Sequence, residues 1–244
     1  MFKKTFISSL TAAAILLSSQ QYAFSKSAET VPAVKPGAAI EKLLEGNNRF
    51  VSGRVEHPNQ SGERRTDVFK NGQHPYAVIL TCSDSRVPPE VLFDCGIGDI
   101  FVIRTAGNVI DDVSIGSIEY AVEHLGTPIV IVMGHKKCGA VDATIAGGEI
   151  PGHIKSIAAQ IKPAVLKAKA SGGEVLDNAV KNNVELIVEK LKHSKPIISE
   201  FAETGKVQII GAYYDLENGK VELLKNKNEK KETGSEKILV IEKK

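Results

Sequence analysis

In the stretch VILTCSDSRVPPE, a run of β-formers delivers Cys82, Asp84 and Arg86 within five residues. These three alternate with Ser83 and Ser85, so an extended segment would put all three side chains on one side. A second cluster, GHKKCGA at 134–140, offers His135 and Cys138. Their separation of three places both on one face if the turn opens a helix. Cys82, His135 and Cys138 together make a Cys₂His set, the kind that holds Zn²⁺ tetrahedrally and leaves a fourth position. Water there gives a catalytic site, and Asp84 there gives a closed one; the residues alone allow both. A metal lowers the pKa of bound water and makes hydroxide available. Two thiolates donate more charge than imidazoles, which should keep that water less acidic. Arg86 can take the Asp84 carboxylate in a bidentate pair and hold it where it accepts a hydrogen bond from the water.

Each residue also has a plainer use. Cys95 has no partner motif and reads as core filler. An Asp-x-Arg pair by itself is usually a surface ion pair of little worth; beside a metal ligand it reads as functional. His57, His74, His124, His153 and His193 lack ligand spacing and read as surface or structural residues. The glycines at 147–148 and 172–173 read as turns, with no phosphate loop. Three cysteines is an odd number, which argues against a disulfide framework and for metal ligation by two of them.

The elements that must position these residues follow from the apolar pattern. Four runs rich in β-branched residues, 76–81, 100–103, 129–133 and 207–213, read as buried parallel strands. Helical patterns occupy 38–51, 115–125 with Ser114 as N-cap, 153–169, 176–193 and 197–203. Strands alternating with helices predict an α/β fold, a doubly wound and mainly parallel sheet flanked by helices. The sequence ENGK at 217–220 predicts a hairpin into an antiparallel edge strand at 221–224. Ligands of such sheets bind beyond the carboxyl ends of the strands, and both motifs follow strands directly. They converge if the first and third strands are neighbours.

The ends of the chain are of a different character. MFKK, an apolar stretch to Leu17 and the small residues AFS at 23–25 predict a signal peptide over 1–25, cleaved after Ser25, and hence a periplasmic or secreted protein. The apolar run is too short to span a membrane. A flexible leader is expected over 26–37, the folded domain over 38–224, and a lysine-rich tail over 225–244 in which KILVIE could add a short strand. The precursor has 31 Lys+Arg against 29 Asp+Glu, and losing Lys3 and Lys4 with the signal balances the two. That balance gives no electrostatic case for nucleic acid.

The motifs CSDSRVP, VIRTAGNVI, GSIEYAVEHLG, GHKKCGAV and GAYYDLENGKVELL closely resemble those of the β-class carbonic anhydrases, over roughly 38–224. The resemblance implies zinc on Cys82, His135 and Cys138, Asp84 and Arg86 as a catalytic dyad, and reversible hydration of CO₂ to bicarbonate. It also implies a homodimer or higher homo-oligomer with active sites at a subunit interface. Gln73 then matches the family glutamine that binds substrate across that interface. Phe101 and Tyr120 match aromatic walls of the pocket, and Gly107 matches the loop lining the cleft. Some bacterial relatives bind an inhibitory bicarbonate beside a tryptophan at the position that is Ile79 here; Arg104 and Tyr214 match the other positions, but the chain has no Trp. Two rival readings keep the zinc site: a hydrolase of carbonyl sulfide or carbon disulfide with the same fold, and a zinc-binding protein without turnover. Asp84, Arg86 and Gln73 speak against the second, since metal storage needs none of them.

Overall fold

A computed structural model describes residues 34–225. The expected signal peptide, most of the leader and nearly all of the tail, including KILVIE, lie outside the described residues. Strands β1 (Ala77–Cys82), β2 (Ile100–Thr105), β3 (Ile129–His135) and β4 (Gln208–Tyr214) are parallel, and β5 (Val221–Leu223) pairs antiparallel with β4. The order is β2-β1-β3-β4-β5. The connection thus runs to one side of β1 for β2 and to the other side for β3. This places a topological switch point between β1 and β3, the two strands whose ends carry the motifs.

The helices are α1 (Pro36–Val51), α2 (Gly62–Asn71), α3 (Pro89–Leu92), α4 (Asp112–Glu119), α5 (Gly139–Ala146), α6 (Ile154–Ser171), α7 (Val175–Lys192) and α8 (Ile197–Glu203). β1 and β3 are buried along their whole length, which is why they read as continuous apolar runs without alternation. Their residues divide by parity between two faces. Ile79, Ile131 and Met133 pack with Leu43 of α1, Leu92 of α3 and Phe93. Val78, Leu80 and Val132 pack with Ile118 of α4 and with Val184 and Ile187 of α7. Each such aliphatic side chain contributes about 1.5–3 kcal/mol when fully buried. Asn47, on the apolar face of α1, donates to the carbonyls of Leu92 and Gly219 and accepts from the Val221 N–H, so it joins α1 to the β5 hairpin.

Several boundaries differ from the sequence reading. α1 starts at Pro36, two residues before the expected domain boundary, because proline is well suited to a first helical position. The helix expected over 115–125 starts at Asp112 with Asp111 as N-cap. Asp111 accepts from the Ser114 N–H at 2.8 Å while Ser114 Oγ accepts from the Asp111 N–H at 2.7 Å, so Ser114 is the reciprocal partner of the cap. Beyond Glu119 the helix widens into a π turn, Tyr120–His124. α2 and α3 were not anticipated, and α2 buries no residue. Among the described residues no helix is long and apolar enough to cross a membrane.

Close approach of α7 to the sheet depends on two glycines. A Cβ on Gly134 of β3 would come within 2.7 Å of Val180 and 2.8 Å of Val184, and one on Gly211 of β4 within 2.9 Å of Val184. The two valines of α7 therefore sit in a notch that no other residue type would leave open.

Candidate metal centre

Cys82 is the last residue of β1 and His135 the last of β3. Since the two strands are adjacent and parallel, both side chains arrive at the same edge of the sheet. Cys138 is the N-cap residue of α5, reached through a turn in which Lys137 adopts φ +54°. His135 and Cys138 thus occupy a strand end and a helix cap, where the spacing had suggested one helical face. The positive φ at Lys137 turns the chain back sharply enough to bring them together anyway. The three donor atoms all lie within 4.8 Å of one another, and all three residues are buried.

The donor set fits a zinc-like ion. His135 Nδ1 is 2.9 Å from the Lys136 carbonyl oxygen. A carbonyl only accepts, so Nδ1 carries the proton and Nε2 presents a bare lone pair. Nε2 is buried without a hydrogen-bond partner, an expense for a polar atom unless something is coordinated there. Cys82 Sγ accepts from the N–H groups of Asp84 at 3.4 Å and Gly107 at 3.3 Å. A hydrogen bond from Cys138, aided by those two N–H groups, holds the Cys82 thiol well below its usual range. The Cys82 sulfur beside it and burial push the Cys138 thiol the other way. Cys95 lies elsewhere in the core with Sγ 2.9 Å from the Tyr76 hydroxyl. Burial pushes its thiol up to about 11, as suits an inert residue.

The Asp84 to Arg86 segment is a turn closed by the Val87 N–H on the Asp84 carbonyl, which replaces the expected extended run. Turning is what lets a side chain two residues on fold back. Arg86 Nε is 2.9 Å from Asp84 Oδ1, Nη2 is 2.7 Å from Oδ2, and the Arg86 N–H is 3.0 Å from Oδ1. Arg86, chiefly by its side-chain hydrogen bonds, keeps the carboxyl far below the ordinary carboxylate range. Asp84 Oδ2 stands 3.8 Å from His135 Nε2. Arg104 fixes the backbone of this segment, donating to the Cys82 carbonyl at 3.1 Å and the Asp84 carbonyl at 2.6 Å. Ile79, in the tryptophan position, is buried in the core.

Gly107 completes the cluster. Its φ is +67°, and a Cβ there would come within 2.6 Å of Ile161 and 3.2 Å of Ala140, so glycine suits both the backbone and the space. Gln73, Phe101 and Tyr120 do not join it within one chain. Phe101 is in register with Val78, four residues before the pair Cys82 and Thr105. That is about 13 Å along the sheet at ~3.3 Å per residue. Tyr120 is exposed, its ring 6.4 Å from that of Phe101. Gln73 is exposed in the segment leading into β1.

Residues 77–221, from the first residue of β1 to the first of β5, match the sequence profile of the family described as carbonic anhydrase. Carbonic anhydrase 2 of Mycobacterium tuberculosis is 42% identical over 197 residues, spanning 79% of this chain and 95% of its own. The chain belongs to the β-class carbonic anhydrase family. The β-carbonic anhydrase CafA of Aspergillus fumigatus superposes with a TM-score of 0.61 at 28% identity, covering 76% of this chain and 90% of its own. A Sordaria macrospora structure described as a tetrameric β-carbonic anhydrase shares the fold, with a TM-score of 0.61 at 24% identity over 76% of this chain and 96% of its own. The enzyme therefore carries the family's fold and a Cys-His-Cys group able to bind a metal. Sequence reasoning missed Asn183, whose Nδ2 donates to the Gly107 carbonyl. The available signal was an asparagine on the apolar face of α7, between Val180, Val184 and Ile187.

Proposed function

We propose that this enzyme hydrates CO₂ reversibly to bicarbonate and a proton, with one zinc ion per chain on Cys82, His135 and Cys138. Asp84 and Arg86 act as the dyad that orients the attacking oxygen. The observation that carries the reading is the unpartnered, buried His135 Nε2 among two cysteine sulfurs within 4.8 Å, with the Arg86-bound carboxylate 3.8 Å away. Zinc in such a set supplies, when bound, a water of lowered pKa and hence hydroxide near neutral pH. Ionised and held by three donors from Arg86, Asp84 can only accept a hydrogen bond. An O–H group facing it therefore turns its lone pair away from Asp84 and toward the substrate. Released from Arg86, the same carboxylate is close enough to His135 Nε2 to become a fourth ligand, which closes the site.

The substrate pocket is completed by a second copy of the chain, so the working unit is a homodimer or a larger assembly. Gln73, Phe101 and Tyr120 then serve the donor set of the partner. This is supported by their distance from the donors of their own chain, by an α2 with no buried residue, and by Phe69 on that helix at 87% exposure. Residues 1–25 are a signal peptide, and the enzyme works in the periplasm or outside the cell. N-terminal sequencing of the mature protein should begin at Lys26.

The test is stopped-flow CO₂ hydration with metal analysis on the same preparation. About one zinc per chain and turnover that disappears with the metal are expected. A metal-free preparation with full turnover would overturn the assignment.

A further inference from the structure

Asn183 lies in the middle of α7 at 1% exposure, flanked by the valines that enter the glycine notch. Its Nδ2 donates to the Gly107 carbonyl at 2.9 Å across 76 residues of sequence. Its Oδ1 is buried without a partner. A half-satisfied asparagine is a poor choice for packing a helix against a sheet, where an aliphatic side chain would leave nothing unpaired. The bond it does make falls on the residue whose N–H reaches the Cys82 sulfur at 3.3 Å.

The Gly107 turn is spanned by Thr105, whose Oγ1 donates to the Val109 carbonyl, and Asn183 holds it from the side of α7. Gly107 has no side chain, its φ is +67°, and it is hemmed in by Ile161 and Ala140 from the side. Asn183 grips the carbonyl on one side of the Gly107 Cα while the N–H on the other side points at sulfur. With φ at +67° and Ile161 and Ala140 packed against the Gly107 Cα, holding the plane of its carbonyl restrains the plane that carries its N–H. We propose that Asn183 is a positioning residue for the metal centre: by anchoring Gly107 it keeps the Gly107 N–H on the Cys82 thiolate and so weakens that sulfur as a metal donor. This inference rests on the zinc reading above.

The chemistry gives the bond a purpose. Two thiolates push more charge onto a metal than imidazoles do, which works against the acidity of bound water. An N–H group on a ligating sulfur withdraws part of that charge, as outer hydrogen bonds do in metal sites generally. Cys82 receives two such bonds, from Asp84 and from Gly107. The first comes from its own strand end, and only the second depends on α7.

The experiment substitutes cobalt for zinc in the full chain and compares wild type with Asn183→Leu, with Asn182→Ala on the same helix as control. Asn182 donates to the Ala164 carbonyl of α6 at 3.4 Å. In Asn183→Leu the sulfur-to-cobalt charge-transfer band should move to longer wavelength. The Gly107 amide should exchange with deuterium at least about tenfold faster, a sign of local opening, while the Asp84 amide keeps its rate. The control should match wild type in both. An unmoved band and an unchanged Gly107 exchange rate in a folded Asn183→Leu would overturn the inference. Should that variant not fold, Asn183→Ala removes the donor without adding bulk, and is judged by the same two readouts. A wild-type cobalt protein with no sulfur charge-transfer band would instead sink the metal reading itself.

Discussion

The two ends of the parallel strands are finished to different degrees. At the carboxyl ends of β1 and β3, three donors are buried, the dyad is paired, and Arg104 pins the backbone beneath them. At the amino ends, Gln73 and Tyr120 are exposed, and Phe69 on α2 stands in the open. One chain suffices to bring the donor set together, because strand pairing delivers Cys82 and His135 and the turn at Lys137 adds Cys138. In the proposed assembly a second copy completes the pocket, since Gln73, Phe101 and Tyr120 lie toward the amino ends of the strands.

If the carboxyl end is self-sufficient, damage there should be severe and local. Cys138→Ser should lose most of its zinc and more than about a hundredfold of its hydration rate, since a ligand matters more than an outer-shell partner. Metal analysis and stopped-flow kinetics check both, and a fully metallated, active Cys138→Ser would remove Cys138 from the ligand set. Arg86→Ala separates orientation from metal binding. It should keep its zinc, since all three ligands remain, yet lose about a hundredfold in kcat through misplacement of Asp84. Wild-type turnover in that variant would dismiss the dyad.

If the amino end depends on a second copy, its variants should show a different pattern. Phe69→Glu should shift the assembly toward monomer on size exclusion, retain zinc, and lose roughly tenfold in activity at dilute protein, recovering at higher concentration by mass action. A monomeric Phe69→Glu with undiminished turnover would mean that each chain works alone. The smallest effect is expected away from both regions. Asp111→Ala removes the α4 cap and should cost about 1 kcal/mol of stability. Zinc content and kcat should stay as in wild type; a change in either would couple α4 to the metal.

The readable parts of this molecule are those fixed by local pattern. β1 and β3 were visible as buried runs, and once they are neighbours Cys82 and His135 at their ends must meet; Cys138 needed the Lys137 turn besides. α2 was not readable, because a helix that buries nothing in its own chain has no apolar stripe to mark it. Ser114 was read as the N-cap that Asp111 supplies, because either residue type can cap a helix and only the reciprocal bonds decide which does. The Asp84 turn was hidden by alternation that suits an extended strand equally well. Asn183 was hidden most deeply, since its partner is a backbone carbonyl 76 positions away, which no side-chain spacing reports.

The notch at Gly134 and Gly211 has a bearing on how this protein can drift over generations. The depth to which Val180 and Val184 enter it sets how far α7 stands from the sheet, and Asn183 rides on that same face. An alanine at either glycine would lift the helix and carry the asparagine away from Gly107, and at Gly211 it would do so without any direct link to the donor set. A compensating loss of bulk at Val184 would be the natural second step, since neighbours that share a space are not free to change independently. Lineages of this fold should therefore change the glycine and the valine together or not at all, and the order of substitution should matter.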